Sequence, residues 1–243
     1  MCSGNFDIII QAGQSNAVGC GDELVQGLFA KNDFAFYFNN DMTITKAEGR
    51  VHENGICGDF SLSFAQKYAA NDLANNRKIL IVRSAVVGTG FSDNRWKESD
   101  DLFLQMMKMT TAALKLNPKN RLVALLWHQG ETDALNNVSY DVHYKNLDGL
   151  VELVRTAFAV PNLPFVAGGF VQDWADKNPD ICAPVISAIR DVCSNIKNGA
   201  FVESSGLKSK REEGSVDDDI HFCNEALYLL GQRYYDAYTK GEA

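Results

Sequence analysis

The sequence predicts an α/β fold built around a mainly parallel β-sheet. Apolar runs of strand length alternate along the chain with segments whose apolar residues recur at helical spacing, which is typical of βα units. Some runs, such as Ile8-Ile9-Ile10, are continuously apolar and therefore fit strands that are covered on both faces. Polar clusters follow several of these runs directly, so we expect a site at the carboxyl edge of the sheet.

The first strand is the run that stops at Ala12-Gly13. A second, short strand nearer the sheet edge is predicted at 34–38, where the sequence FAFYF is strongly aromatic. Further strands are predicted at 79–82, 122–127, 163–171 and 200–203.

Between these strands the apolar spacing predicts amphipathic helices. They cover 60–69, 102–116, 140–158, 185–196 and 226–237. Asp59 is a candidate N-cap for the first of them, and Asn117-Pro118 is expected to end the second. His143 lies off the apolar stripe of its helix, so we expect it to be solvated.

Two long polar segments interrupt this alternation, at 39–58 and 204–217, and both are predicted to be loops. The first carries Arg50, His52 and Glu53. These side chains could line a cleft, although solvated loop residues are the more common case.

The composition is that of one sizeable globular domain. The chain has 243 residues, 46% of them hydrophobic and 22% charged, and we expect residues 1–243 to form a single domain. Lys and Arg number 23 against 31 Asp and Glu, which gives a net charge of −8 and leaves no basic patch long enough to follow a phosphate backbone. We therefore expect no nucleic-acid partner.

The expected compartment is the cytoplasm, unless a signal peptide has been removed. The amino terminus has no basic region and no apolar segment of secretory length, and no run approaches the ~18 apolar residues of a membrane span. The cysteines form no CxxC pair, so we expect reduced thiols rather than a zinc or redox site. They are Cys2, Cys20, Cys57, Cys182, Cys193 and Cys223.

The polar triplet Gln14-Ser15-Asn16 follows the first strand at once. Gly13 permits a tight turn there, and Ser15 could open a helix whose backbone N–H groups would hold a developing oxyanion. Ser15 is therefore a candidate nucleophile. The alternative is that Ser15 or Asn16 merely caps a helix.

Three more clusters follow later strands or loops. The segment 83–90 is a turn in which Gly88 could place a backbone N–H beside Ser15, and it contains no GxGxxG dinucleotide motif. The sequence HQGE begins at His128, and DxxH ends at His221. Arg95 and Trp96 could bind the face of a sugar, although a surface-packed tryptophan is an equally good interpretation.

The order GQSN, glycine turn, HQGE and DxxH resembles the SGNH hydrolase superfamily, specifically its branch of carbohydrate esterase family 6 and sialate O-acetylesterase-like proteins, related to acetylxylan esterases. The resemblance extends from Ser15 to His221. It implies a three-layer α/β/α sandwich with a flavodoxin-like, mainly parallel sheet of five or six strands. It also implies a serine esterase that removes O-acetyl groups from a carbohydrate of the acetylxylan or sialic acid type, with no metal and no cofactor.

The resemblance assigns Ser15 as nucleophile and His221 as general base. It assigns the oxyanion hole to the N–H groups of Ser15 and Gly88 and to the side chain of Gln129. Asp218 is favoured as the residue that orients His221, because a three-residue link ties the two. Glu131 is the alternative acid, or else an anchor for the loop that presents Gln129.

Candidate substrate contacts are Gln14, Asn16, Arg95 and Trp96. A metal site from His128, Glu131 and His221 is not expected, because no HExxH-like spacing supports it. Two other functions stay open: a lipase-like or thioesterase SGNH hydrolase for longer acyl chains, and a catalytically silent carbohydrate-binding relative. The presence of Ser15, Asp218 and His221 argues against the silent relative.

Overall fold

A computed structural model describes residues 4–19, 28–29, 32–52, 55–214 and 216–241. The strands are β1 (Asn5–Gly13), β2 (Ala35–Phe38), β3 (Ile44–Lys46), β4 (Arg50–His52), β5 (Gly55–Cys57), β6 (Arg77–Arg83), β7 (Arg121–His128), β8 (Phe165–Gly168) and β9 (Gly199–Val202). The helices are α1 (Ser15–Val18), α2 (Phe60–Asn71), α3 (Asp101–Lys115), α4 (Glu131–Leu135), α5 (Tyr140–Ala157), α6 (Gln172–Lys177), α7 (Pro179–Asn195), α8 (Lys210–Glu213) and α9 (Asn224–Gly241).

The described residues form a mainly parallel sheet in the order β3-β2-β6-β1-β7-β8-β9, and β3 is its antiparallel edge strand. The strands β6-β1-β7-β8-β9 follow the chain order 2-1-3-4-5 of flavodoxin-like folds, whose ligands bind beside the first strand at the carboxyl edge. Helices α2 and α9 pack together over one face, and α5 and α7 pack together over the other. The predicted three-layer α/β fold is confirmed.

The predicted strand number of five or six was too low, because the segment 39–58 is not simply a loop. It contributes β3 to the sheet and pairs β4 with β5 in a separate ribbon. These strands are only three residues long, so they show too little alternation to be recognised in the sequence. The side chain of His52 and the whole of Glu53 lie outside the described residues.

Short helices were also missed. Helix α8 lies in the segment predicted as a polar loop, where Ser209 and Glu212 form a reciprocal capping box. The S-x-x-E pattern was present in the sequence, but no apolar run follows it. Asp59 does cap α2 as predicted, since its carboxylate accepts a hydrogen bond from the Ser61 N–H.

The central strand β1 carries one buried charge, Asp7, at its amino end. Its carboxylate accepts hydrogen bonds from Arg77 Nε and Arg121 Nε, each at 2.6 Å, and from the Tyr68 hydroxyl at 2.9 Å. Arg77 begins β6 and Arg121 begins β7, so one carboxylate joins the three central strands. Burial opposes ionisation of Asp7, but these donors outweigh it and hold its pKa below the usual value.

The other end of β1 approaches β7 closely. Gly13 has φ of 134°, and a Cβ built there would lie 2.0 Å from the carbonyl oxygen of His128. The Gln14 N–H donates to that same oxygen at 3.0 Å. Only glycine permits this approach, which places the residues after β1 directly beside those after β7.

The described cysteines Cys57, Cys182, Cys193 and Cys223 are all buried, and Cys2 and Cys20 lie outside the described residues. Among the helices in the described ranges, none has the length and apolar character needed to cross a membrane.

Replacing Gly13 with alanine should destabilise the protein by about 3 kcal/mol or more, because both the backbone conformation and the carbonyl of His128 exclude a side chain. Gly149→Ala in α5 is the matched control, since nothing lies within 4 Å of its Cβ position, and it should raise stability by up to about 1 kcal/mol. Urea unfolding of both variants checks this. Equal stability of the two variants would show that the close approach is not required.

Candidate active site

Ser15 is the first residue of α1, immediately after the turn that ends β1. Only 3% of its surface is exposed to solvent. The amide of Gln11, a β1 residue, donates a hydrogen bond to the carbonyl of Ala17, so strand and helix are joined directly. The strand-turn-helix arrangement predicted for GQSN is present.

Ser15, His221 and Asp218 form a continuous hydrogen-bonded chain. The Nδ1 of His221 lies 2.8 Å from Asp218 Oδ2, and its Nε2 lies 2.8 Å from Ser15 Oγ. An ionised carboxylate only accepts hydrogen bonds, so Nδ1 carries the imidazole proton and Nε2 accepts from the Ser15 hydroxyl. This is the tautomer that a general base requires.

Asp218 is held in its ionised form. Burial favours the neutral carboxyl, but the hydrogen bonds from His221, with the charge of Lys210, outweigh burial and lower the pKa of Asp218. Lys210 Nζ lies 3.7 Å from Asp218 Oδ2. The backbone N–H groups of Ile220 and His221 both donate to Asp218 Oδ1 at 3.2 Å, which fixes the carboxylate within its own loop.

The small helix α8 is hydrogen-bonded to the loop that carries Asp218 and His221. Its residue Lys210 donates its N–H to the carbonyl of His221 at 3.0 Å, and Arg211 donates its N–H to the carbonyl of Asp218 at 2.8 Å. Ser209, the N-cap of α8, also forms a β-bridge with Phe222. The unpredicted helix therefore sets the position of the predicted histidine.

Asn16 connects three segments and is only 1% exposed. Its amide nitrogen donates to Glu131 Oε1 at 2.7 Å and to the carbonyl of Ile220 at 3.0 Å. Its amide oxygen accepts from the Phe222 N–H at 3.0 Å. Asn16 thus holds the His221 loop against α1, which corrects the prediction that it contacts substrate.

Glu131 is fully buried and opens α4. Burial raises its pKa, and its carboxylate accepts a hydrogen bond from Asn16, whereas the ring nitrogens of His221 contact Asp218 and Ser15. His128 Nε2 lies 3.7 Å from Glu131 Oε1, beyond hydrogen-bonding distance. Within the described ranges, no group of three or more His, Cys, Asp or Glu side chains could hold a metal ion.

Gln129 is oriented by a residue that the sequence analysis missed. Its amide nitrogen donates to Asp133 Oδ2 at 3.1 Å, and Asp133 also accepts from His143 Nδ1 at 3.1 Å and from the N–H groups of Phe91 and Ser92 at 3.2 and 2.8 Å. Burial would raise the pKa of Asp133, but the hydrogen bonds from His143 and Ser92 outweigh it and lower the pKa to about 2. Asp133 therefore joins the HQGE segment to the glycine turn.

His143 is buried completely, so the prediction that it is solvated was wrong. It packs edge-on against Phe91 while donating to Asp133. Helical periodicity placed His143 off the apolar stripe of α5. It is nevertheless buried, because the carboxylate of Asp133 lies opposite it and pairs with it. The sequence offered no signal for this pairing, because the two residues are ten positions apart on different helices.

The glycine turn after β6 lies against the end of β1, since the Val86 N–H donates to the carbonyl of Gly13 at 3.0 Å. The N–H of Gly90 is already donated to Asp93 at 2.9 Å. Gly88, by contrast, is exposed, has φ of 69°, and its N–H makes no hydrogen bond among the described residues. Gly88 rather than Gly90 thus offers a donor to a ligand.

Two other predicted substrate contacts are buried. Trp96 has no exposed surface, donates its indole N–H to Thr89 Oγ1 at 3.0 Å and packs edge-on against Trp127. The prediction that Trp96 binds a sugar face was therefore wrong, and its alternative as a surface-packed residue was wrong too. Gln14 is 3% exposed, and its side-chain oxygen accepts from the Thr132 N–H at 3.1 Å, so it anchors α4.

Arg95 is partly exposed and remains a predicted substrate contact. Its guanidinium donates two hydrogen bonds to Asp101, from Nε at 2.8 Å and from Nη2 at 3.0 Å. This ion pair ties the loop after the glycine turn to the start of α3.

His128 is neutral and structural. The Tyr234 hydroxyl donates to the carbonyl of Trp127 at 2.7 Å, so it accepts from His128 Nδ1 at 2.9 Å. Burial lowers the pKa of His128 to about 3.

The chain is similar to known proteins along nearly its whole length. A family model described as "Carbohydrate esterase, sialic acid-specific acetylesterase" matches residues 5–240. The chain is 25% identical over 251 residues to the "Probable carbohydrate esterase At4g34215" of Arabidopsis thaliana, covering 95% of this chain and 89% of that protein.

Solved structures show the same fold. The structure is similar to that of NanS, with a TM-score of 0.81 at 18% identity and 97% of each chain covered. It is similar to that of the Arabidopsis thaliana protein AT4G34215, with a TM-score of 0.78 at 22% identity and 98% of each chain covered.

The neutral state of His128 makes stability depend on pH. The unfolded chain binds a proton at this residue below about pH 6.5, whereas the folded protein does so only near pH 3, so stability should decrease as the pH falls between these values. In His128→Gln the slope should be shallower by up to about 1.4 kcal/mol per pH unit. Urea unfolding of both proteins from pH 7.5 to pH 4 measures the difference, and identical slopes would contradict a neutral buried His128.

Proposed function

Since the chain belongs to the carbohydrate esterase, sialic acid-specific acetylesterase family, and is therefore a carboxylic ester hydrolase, we propose that it removes O-acetyl groups from a sugar through an acyl-serine intermediate. The observation that carries the proposal is the chain of two 2.8 Å contacts from Ser15 Oγ through His221 to Asp218. A helix cap alone would not require such an arrangement.

In the first half of the reaction, Ser15 Oγ attacks the carbonyl carbon of the acetyl ester while His221 Nε2 accepts its proton. The resulting tetrahedral intermediate collapses when the bond to the sugar oxygen breaks. The imidazolium returns the proton to that oxygen, so the sugar leaves as an alcohol and the acetyl group remains on Ser15. Asp218 stabilises the transient positive charge on His221.

In the second half, His221 removes a proton from water as the water oxygen attacks the acetyl carbonyl. The bond to Ser15 Oγ then breaks, and His221 gives the proton back to Ser15. Acetic acid leaves, ionising to acetate, and the free enzyme is restored. The His221 side chain is 24% exposed, so water can reach this side of the site.

Three donors can stabilise the negative oxygen of both tetrahedral intermediates: the N–H groups of Ser15 and Gly88 and the amide of Gln129. The amide nitrogen of Gln129 has two hydrogens, and one of them is held by Asp133. This bond aligns the amide before substrate arrives, because an ionised carboxylate accepts from the nitrogen and repels the oxygen. Because the amide is already oriented, its alignment does not add to the activation free energy.

The proposed chemistry requires both Ser15 and His221. Ser15→Ala and His221→Ala should each lose nearly all hydrolysis of p-nitrophenyl acetate, the double variant should be scarcely worse, and a fluorophosphonate should label the wild type but not Ser15→Ala. Ser205→Ala, at an exposed serine, is the matched control and should keep both activity and labelling. Multiplicative losses in the double variant would refute a shared mechanism, and a faster rate with the octanoate than the acetate ester would favour a longer-chain esterase.

The orienting acid is distinguished by two amide substitutions. Asp218→Asn should lower kcat on the order of 10³- to 10⁴-fold, because the amide cannot hold the required tautomer of His221. Glu131→Gln should lower kcat less than about tenfold, because its side-chain oxygen can still accept from Asn16. Kinetics at one pH, with thermal melts as the folding control, decide the matter. If a folded Glu131→Gln lost more kcat than Asp218→Asn, Glu131 would be the orienting acid and Asp218 the loop anchor.

A further inference from the structure

A polar cavity of about 210 Å³ lies at the carboxyl ends of β2 and β6, and no part of the mechanism above uses it. Its lining includes Asn39, Asn40, Arg50, Arg83, Ser84 and Gln105. Val18 of α1 and Val86 of the glycine turn complete the wall on the side of Ser15. A polar space of this size can hold an ionic group with its neighbouring hydroxyls.

Arg83 is a cation that lacks a hydrogen-bonded partner in the described part of the chain. Its guanidinium carbon lies 4.5 Å from the centre of the Tyr37 ring, and its Nε is 3.9 Å from Asp59 Oδ2. That carboxylate is already engaged, because Asp59 accepts from the Tyr37 hydroxyl at 2.8 Å and from the N–H and hydroxyl of Ser61. The Arg83 side chain is 21% exposed, so its free donors can meet a ligand.

Arg50 is the second cation of the cavity. Its Nη2 donates to the carbonyls of Val18 and Gly19, at 2.5 and 3.2 Å, which fixes the guanidinium at the end of α1. Arg50 and Arg83 both line the cavity, and Asp59 lies beside Arg83. Counting Asp59, the cluster carries one net positive charge in a chain whose net charge is −8.

The cavity is at the correct distance for one sugar residue. Strands β6 and β2 lie one and two positions from β1 in the sheet, and adjacent strands are ~4.8 Å apart. The cavity thus begins roughly 5 to 10 Å from the end of β1, where Ser15 lies. A monosaccharide could have its ester at Ser15 while another of its substituents enters the cavity.

We propose that this cavity binds the carboxylate of an acidic, O-acetylated monosaccharide of the sialic acid type while Ser15 attacks its acetyl ester. Arg83 supplies the free donors, Arg50 adds charge, and the amides of Asn40 and Gln105 can bond hydroxyl groups. A guanidinium matches a carboxylate in planar, two-pronged geometry, which makes the contact specific as well as attractive. The proposal rests on the proposed esterase function.

Kinetics test the proposal with a matched substrate pair. O-acetylated N-acetylneuraminic acid and its carboxyl methyl ester differ only in the negative charge. We expect the wild type to prefer the free acid in kcat/KM, and Arg83→Gln to reduce that preference about 10- to 100-fold, mainly through KM. Arg190→Gln is the matched control, because Arg190 also lies over an aromatic ring, 4.1 Å from the centre of Phe201, and it should keep the wild-type preference.

A folded Arg83→Lys variant, which keeps the charge but not the planar fork, should retain part of the preference. It provides a second test if Arg83→Gln does not fold in a thermal melt. Equal use of the two substrates by the wild type, or an unchanged preference in a folded Arg83 variant, would overturn the proposal.

Binding measured without turnover separates this proposal from the esterase function. Calorimetric titration of Ser15→Ala with N-acetylneuraminic acid should give tighter binding than with its methyl ester, and the Ser15→Ala, Arg83→Gln double variant should lose the difference. Hydrolysis of p-nitrophenyl acetate without this discrimination would overturn the carboxylate site alone. Discrimination in binding with no esterase activity in the wild type would overturn the esterase function alone. Binding of inorganic phosphate as tightly as the sugar acid would identify a general anion site and overturn the assignment to a sugar carboxylate.

Discussion

The contact between the end of β1 and the carbonyl of His128 is the constraint on which the site depends. No side chain fits at Gly13, so the two central strands end side by side and the chain turns at once into α1. Ser15 and Gln129 then follow neighbouring strands by only two residues and one residue, respectively. The positions of Ser15 and Gln129 are therefore fixed by a buried parallel sheet and not by a surface loop.

Buried polar groups extend this rigidity to the other parts of the site. Asn16 and Glu131 link α1 to the His221 loop, and Asp133 links Gln129 to the glycine turn. Leaving such groups unpaired in the interior would cost several kcal/mol, so alternative arrangements of the loops are strongly disfavoured. Asn16, which the sequence suggested as a substrate contact, therefore holds the His221 loop in place instead.

The proposed acyl-transfer site and the proposed carboxylate-binding cavity lie at different strands of the sheet. Acyl transfer would occur beside β1 and β7, while the cavity lined by Arg50 and Arg83 lies at the carboxyl ends of β2 and β6. An acidic chain repels anions at long range, so attraction of an acidic sugar would have to arise within this cavity. Short-range pairing of this kind favours correct orientation more than rapid encounter.

The order of apolar runs and polar clusters was enough to predict the parallel α/β sheet, the strand-turn-helix at Ser15 and the family, because these depend on local patterns. The contact between Asp218 and His221 was also predictable, since three residues join them. Only the tertiary structure decided the rest. Trp96, Asn16 and His143 are buried, and two distant arginines share a cavity, because the face a side chain presents depends on elements far away in sequence.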